Sequence, residues 1–262
     1  MFFWFKRKKL VLDCLTFNNQ ICELFPITPA SEHIPNWFKG LPAMVPHKFR
    51  PPTGPIVETQ LPSMKYCSGF KDFYARSFVL PSWSDYEFFV DEEGRITSSN
   101  VQNMGDYQSH NTLQWGRGFP GMCSVKLNSP WRMKGPKGIY WTWVAAQHHR
   151  PVDIQVLSGM LEWYHQHESN VNILLPKADK DTATYTIEAG EPLVHLVPQT
   201  EHDIEVRNHV VDMLEWEKIK PWHHSRFHSY LKTRAMVEKK DAEQEPKRCP
   251  FGFGSGLRGS ND

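Results

Sequence analysis

The sequence predicts a mainly β protein, with a β-sandwich core and a C-terminal helical appendage. Aromatic residues are abundant, at 16 Phe, 10 Trp and 8 Tyr, while 20 Pro and 16 Gly supply turn residues. This composition favours many short strands joined by ordered turns over long helices. Residues 152–198 show the pattern most clearly, because apolar segments there are separated by Gly159, by a polar loop at 179–181 and by Gly190.

Short apolar runs bounded by turn residues predict the strands in chain order. They lie at residues 10–17, 78–81, 86–90, 95–97, 124–127, 139–145, 170–175 and 184–198. The cluster at residues 91–94 predicts a hairpin turn between two of these strands. Residues 98–121 are polar and contain several glycines, which predicts a long surface loop.

Helical patterns are confined to two places. Ser31 is a candidate cap for a short helix over residues 33–40, with Pro35 in its first turn and Gly40 at its end. Over residues 207–240 apolar residues recur at helical spacing. The chain is therefore expected to comprise a basic N-terminal end (1–9), a β core domain (10–205), C-terminal helices (206–240) and a mobile Gly-rich tail (241–262).

Composition and charge argue against several classes of protein. The net charge is +1, so no global field attracts nucleic acid or an anionic membrane, and nucleic-acid binding is not expected. No run approaches the ~20 apolar residues of a membrane span. The five cysteines are scattered without CxxC spacing, which disfavours a thiolate zinc site or a disulfide framework. A reducing, cytoplasmic location is the expectation.

Histidines are the first candidates for chemistry, since the chain has 13 of them. His165 and His167 would point the same way on a strand, and His195 lies in another predicted strand. These three imidazoles would form a cupin-like site for iron or zinc. The spaced glycines of the full cupin pattern are absent, and solvated polar side chains are the alternative interpretation.

A second set of candidates comes from the order of residues in the middle of the chain. Residues 156–159 (VLSG) are followed by Glu162 and Tyr164, then by an apolar strand at 171–175 and a glycine-bearing turn at 189–190. This order resembles the β-clip superfamily of trimeric dUTPases and dCTP deaminases. The resemblance implies a β-clip core packed as a homotrimer. It also implies that Glu162 activates water and Tyr164 stacks on a base, in a Mg²⁺-dependent nucleoside triphosphate hydrolase.

The likeness covers residues 138–198 and extends to the C-terminus. Gly252, Gly254 and Ser255, preceded by Arg248, resemble the glycine-rich arm that dUTPases close over substrate phosphates. Backbone N–H groups of such a segment would cradle an anion. The alternative is a disordered Gly/Ser tail. The family's Arg-Ser-Gly phosphate motif is replaced by Trp-Val-Ala near the start of this region.

Four further segments carry a broader resemblance. They are residues 34–39 (IPNWFK), 81–86 (PSWSDY), 128–131 (NSPW) and 192–198 (PLVHLVP). Through them the chain is similar to a family of bacterial and cyanophage proteins that has no assigned activity. If the gene is carried by a phage, the expected location is the host-cell cytoplasm.

The sequence thus supports three hypotheses about function. The first is a β protein of phage or bacterial origin that acts by binding rather than catalysis, because the phosphate motif is missing and the acid is substituted. The second is the nucleotide hydrolase that uses Glu162 and Tyr164. The third is the cupin-like metal enzyme. The ligand is not indicated by any motif, and self-association is expected only from the β-clip resemblance.

Overall fold

The computed structural model describes residues 9–99, 107–109, 119–146, 148–149, 153–219 and 230–244. The chain divides into two compact units, Met1–Pro221 and Trp222–Asp262. Strands account for 41% of these described residues and helices for 22%. The predicted mainly β class is therefore confirmed.

The strands are short and follow one another closely along the chain. They are β1 (Leu10–Thr16), β2 (Thr28–Pro29), β3 (Met44–Phe49), β4 (Val57–Pro62), β5 (Phe78–Pro81), β6 (Tyr86–Asp91), β7 (Ile96–Ser98), β8 (Tyr107–Ser109), β9 (Met122–Leu127), β10 (Arg132–Lys134), β11 (Trp141–Ala145), β12 (Gln155–Val156), β13 (Gly159–Leu161), β14 (Val171–Pro176), β15 (Thr182–Ile187), β16 (Pro192–Pro198) and β17 (Ile204–Val210). The helices are α1 (Asn19–Leu24), α2 (Asn36–Lys39), α3 (Ser68–Arg76), α4 (Met213–Ile219) and α5 (Tyr230–Gln244). Two 3-10 helices cover Ala30–His33 and Met64–Tyr66.

The described strands form five sheets, and none of these sheets closes into a barrel. Their strand orders are β10-β1-β17, β13-β11-β16-β5-β2, β12-β14-β9-β8, β15-β6-β7 and β3-β4. Of the pairs within these sheets, only β1 with β17 is parallel. Strands from four of the sheets share one hydrophobic core, which is the sandwich-like body of the protein.

The alternation of buried and half-buried residues along the strands explains which side chains form the core. In β6 the residues Tyr86, Phe88 and Val90 are buried and the intervening ones are half-buried, because successive side chains of a strand point to opposite faces. Trp131 and Trp141 are among the largest fully buried side chains of this main core. Such indole rings remove a large apolar area from water and make a major contribution to the stability of the body.

Two glycines that separate the predicted strands have clear structural roles. A Cβ at Gly159 would approach the Trp143 indole to 2.7 Å, so only glycine allows β13 to lie against β11 here. Gly190 has a φ of 83° in the turn between β15 and β16, where a side chain would be strained. Gly190 confirms the turn that the sequence predicts there, whereas Gly159 is the first residue of β13.

The short helix expected over residues 33–40 is divided in two. Ser31 lies inside the 3-10 helix rather than capping a helix, and Ile34 is extended with φ −60° and ψ 126°. The residue before a proline is disfavoured in the helical conformation, so Pro35 separates the 3-10 helix from α2. Gly40 ends α2 as predicted.

The start of the expected C-terminal helices is a strand. β17 pairs in parallel with β1 along its whole length, so the β core extends beyond the predicted end at residue 205 to residue 210. Its partner strand lies almost two hundred residues earlier in the chain. The local spacing of apolar residues does not reveal a pairing between such distant segments. The helical prediction is confirmed further on by α4 and α5, and α5 ends at Gln244, inside the predicted tail.

Helix α4 packs on the outer face of β1. The Trp216 ring lies edge-on to Phe17, with 5.1 Å between the ring centres. The Arg132 guanidinium lies 3.7 Å from the centre of the Trp216 ring and donates a hydrogen bond to the backbone oxygen of Trp216. None of the helices described here has the length and apolar character required to cross a membrane.

Candidate functional site

Glu162, the predicted water-activating acid, is enclosed by the body. The residue is 2% exposed. Its Oε1 accepts a hydrogen bond of 2.6 Å from the Gly138 backbone N–H, and its Oε2 lies 3.2 Å from Nε2 of His165. The carboxylate thus closes the turn at residues 134–138 from the inside. It does not present the open oxygens that Mg²⁺ and a bound nucleotide require.

Tyr164, the predicted base-stacking ring, is half-buried beside this pair. Its ring stands edge-on to His165 at 5.1 Å between ring centres. The Lys137 ammonium lies 5.5 Å from the Tyr164 ring centre. The role predicted for Tyr164 stays a prediction.

The predicted metal ligands are distributed over separate surroundings. His165 lies in a turn and His167 in the irregular segment after it, rather than on a strand. Nδ1 of His167 is 2.8 Å from the Met133 backbone oxygen. Burial lowers the pKa of His167. His195 is fully buried on β16, with Nδ1 3.5 Å from Ser77 Oγ. In the part of the chain that the structure describes, no group of three or more His, Cys, Asp or Glu side chains is arranged to hold a metal ion.

The predicted phosphate-binding residues lie outside the described residues. They are Arg248, Gly252, Gly254 and Ser255. The nucleotide hypothesis accordingly gains no site from the described structure.

A further feature lies at residues 44–62. Strands β3 and β4 form a separate two-stranded hairpin, which together with its connecting loop (50–56) we call the arm. Directly opposite residues of an antiparallel pair share one face. One face of the arm carries the opposite pairs Val45–Leu61, His47–Thr59 and Phe49–Val57. The other face carries Met44–Pro62, Pro46–Gln60 and Lys48–Glu58.

The two faces of the arm differ sharply in chemistry. On the polar face, Lys48 Nζ and Glu58 Oε1 form an ion pair of 2.7 Å. On the apolar face, Phe49 is 52% exposed, Val57 45% and Leu61 43%. The arm is thus amphipathic like a strand pair of the core, but its apolar face lies in solvent in the described structure.

The arm projects from a small cluster that we call the platform. The platform consists of α2, α3 and the buried side chains packed between them, with the Phe38 and Phe70 rings stacked at 4.1 Å between centres. At the base of the arm, the Ser63 backbone N–H donates to the Ala43 oxygen at 3.0 Å. Ser63 Oγ donates to the Pro42 oxygen at 2.5 Å. The base is therefore held, while the strands beyond it pair only with each other among the described residues.

Beneath the platform lies a group of imidazoles that we call the histidine cluster. It comprises His33, His148, His149 and His195, together with the phenol of Tyr74. Tyr74 Oη is 3.4 Å from Nδ1 of His148 and 3.2 Å from Nε2 of His149. The His149 and His195 rings are 5.9 Å apart between centres. The cluster thus joins α3 to the turn at 148–149 and to β16.

Three imidazoles of the histidine cluster, those of His195, His148 and His33, have lowered pKa values, and burial is the largest cause for each. Burial, followed by the neighbouring imidazoles of His149, His148 and His33, lowers the pKa of His195 to about 3. Within the described structure its Nε2 has no hydrogen-bond partner. Burial also raises the pKa of Tyr74 to about 12, so the phenol offers no negative charge to a protonated histidine.

Comparison with known proteins adds no name to these features. No protein-family model matches the chain. A search among curated proteins also finds no match.

The sequence contained one indication of the arm. Val45 and Phe49 are apolar and would share one face of a strand, but His47 between them is polar. Thr59 interrupts the second strand of the arm in the same way. The intervening PPTGP is a strong turn sequence. Eight prolines between residues 26 and 55 obscure this alternation, because proline is uncommon inside paired strands.

Proposed function

We propose that this protein works by binding rather than by catalysis, and that copies of the chain assemble through the apolar face of the arm. The observation that carries the proposal is the exposure of Phe49, Val57 and Leu61 on one face of an isolated hairpin. An exposed apolar patch of this kind is typical of a surface that another protein covers.

The energetics of a hairpin support this proposal. A two-stranded hairpin with no packed face is at best marginally stable in water. The arm nevertheless gathers Val45, Phe49, Val57 and Leu61 on one face and its two charged side chains, Lys48 and Glu58, on the other. A sheet shows such a separation when one face is buried. Since the chain itself leaves the apolar face open in the described structure, a partner would supply the missing layer.

Charge favours a second copy of the same chain as that partner. Apart from His47, the apolar face carries no ionisable side chain, so two such faces meet without like-charge repulsion while that imidazole is neutral. The net charge of the chain is only +1, so long-range repulsion between copies is weak. Two identical apolar faces related by a twofold axis are self-complementary.

The size of the face sets the expected strength of association. Two six-residue strands cover roughly 20 Å by 10 Å, or about 200 Å² in outline. Stable complexes bury about 800 Å² on each partner. The exposed side chains of Ile56 in the loop of the arm, and of Met64 and Tyr66 after β4, would have to add to the buried area. We expect association in the micromolar range.

The test is the mass of the protein in solution as a function of concentration. Sedimentation equilibrium over about 1–200 µM should show the wild type passing from monomer to assembly by mass action. Leu61→Glu puts a charge on the apolar face and should leave only monomer. Gln60→Glu adds the same charge one residue away on the polar face and should assemble like the wild type.

The outcomes separate the proposal from its alternatives. A dimer, or the homotrimer that the β-clip resemblance implies, supports the proposal if Leu61→Glu abolishes it. A wild type that is monomeric throughout, or a Leu61→Glu variant that still assembles, overturns it. A cytoplasmic setting for this assembly fits the free thiols of Cys14, Cys22, Cys67 and Cys123.

A further inference from the structure

We propose that protonation of the histidine cluster loosens the platform beneath the arm and thereby dissolves the assembly, an inference that rests on the proposed function of the arm. Clusters of histidines are the groups best suited to convert a moderate fall in pH into a change of packing.

The first step is the position of the cluster. Tyr74 lies on α3, and the same helix carries Phe70, which stacks on Phe38 of α2. The Trp37 indole N–H donates a hydrogen bond of 3.1 Å to the His148 backbone oxygen. Both helices of the platform therefore contact the 148–149 turn, and one of them contacts the turn through the cluster itself.

The second step is the connection to the arm. The arm begins at Met44, four residues after Gly40 ends α2, and β4 ends at Pro62, shortly before α3. Lys65 Nζ donates to the Leu41 backbone oxygen at 3.1 Å and so ties the two ends together. A shift of α2 relative to α3 would consequently change the separation of β3 and β4 at their base.

The third step is the set of charges around the cluster. The groups that act electrostatically on His195 are His149, His148 and His33. His33 in turn lies near Glu32, which favours its charged form, and near Lys39, which opposes it. Burial outweighs Glu32 and lowers the pKa of His33, and partial burial lowers the pKa of His148. A charge on one imidazole therefore disfavours a charge on its neighbours while the cluster stays packed.

The sign of the pH effect follows from these lowered values. A histidine whose pKa is lower when packed than when released takes up a proton on release. Packing is therefore fully favoured above the ordinary pKa of about 6.5 and weakens progressively below it. For His195 alone, with a packed pKa of about 3, the opening equilibrium rises about tenfold for each pH unit below about 6.5.

The experiment first isolates the platform from assembly by using the monomeric Leu61→Glu variant. Hydrogen exchange of the α3 amides at about pH 7.5 and 5.5, corrected for intrinsic exchange, should show about tenfold or greater opening at the lower pH. His195→Asn in this background should lose about tenfold of that response. His202→Gln removes an exposed histidine outside the cluster and should retain it.

Two further measurements keep the inference testable if His195→Asn fails to fold. Imidazole NMR spectra of the Leu61→Glu protein should show His195 still neutral at pH 5.5 in the packed state. His148→Gln, a change in a turn residue, should reduce the pH response of α3.

The last measurement is the mass of the wild type at both pH values. Dissociation at pH 5.5 that His195→Asn or His148→Gln reduces supports the inference. Equal α3 opening at the two pH values, or an assembly unaffected by pH, overturns it while leaving the proposed assembly intact. A wild type that is monomeric at pH 7.5 instead overturns the proposed assembly, and with it the pH-dependent dissociation. The exchange data then report only on the platform.

Discussion

Strand β6 of the body and strand β3 of the arm each carry a phenylalanine that faces the apolar side of a sheet. Phe88 on β6 is 0% exposed, and Phe49 on β3 is 52% exposed. Both lie opposite a residue of an antiparallel partner strand, Tyr185 for Phe88 and Val57 for Phe49. The comparison teaches that pairing and alternation decide which face of a strand is apolar, while a second layer decides whether that face is buried.

The two regions also differ in what lies beneath them. The main core is built from apolar and aromatic side chains contributed by most of the sheets. The platform has a much smaller apolar cluster and borders the histidine cluster. The apolar support of the arm is therefore smaller than the core of the body, and it adjoins imidazoles whose pKa values are lowered by burial.

The largest expected effect breaks the comparison at the two phenylalanines. Phe88→Ala should lower the free energy of unfolding by about 3–5 kcal/mol, because it opens a cavity in a packed core. Phe49→Ala should change the stability of the monomer by less than about 0.5 kcal/mol, as expected of an exposed position. Urea unfolding at low protein concentration checks both values. Equal losses would mean that Phe49 is buried within the monomer.

An intermediate effect is expected at Glu162 in the body. Glu162→Ala should lower the free energy of unfolding by about 2–4 kcal/mol, because it leaves the Gly138 N–H and the His165 ring without their buried partner. Glu162→Gln keeps an oxygen for Gly138 and should cost less. Thermal unfolding of the three proteins checks the order. A Glu162→Ala protein of unchanged stability would contradict the structural role assigned to this carboxylate.

The smallest effect sharpens the contrast between the faces of the arm. Lys48→Ala removes the ion pair with Glu58, whose side chains are 71% and 72% exposed. Such solvent-exposed pairs contribute less than about 1 kcal/mol, and the polar face is not expected to meet the partner. Neither the unfolding midpoint nor the assembly constant should change appreciably. A strong loss of assembly would mean that the interface lies on the polar face and would contradict the proposal.

Most of the body could be predicted from local patterns. The hairpin of β6 and β7 and the turn at Gly190 between β15 and β16 follow from alternation and turn residues, and both are confirmed. Helix α3 was missed because its aromatic residues, Phe70, Phe73 and Tyr74, suit strands as well as helices. Only the packing of these rings against α2 and β16 shows that their spacing belongs to a helix.

The candidate site could be predicted less well, for a related reason. Glu162 was selected because a carboxylate after a glycine resembles a catalytic motif, but no local pattern shows that it is enclosed. The histidine cluster unites residues from positions 33, 74, 148, 149 and 195. Such a group arises only when distant segments pack together.

The sequence by itself determined the mainly β class, the positions of most strands and the absence of a strong global charge. These properties depend on side-chain chemistry over a few neighbouring residues, which alternation and turn residues express directly. Only the tertiary structure decided that Glu162 is enclosed, that β17 joins β1, and that the apolar face of the arm remains in solvent. The physical reason is that burial depends on the layer that covers a residue, and that layer comes from elsewhere in the chain or from another molecule.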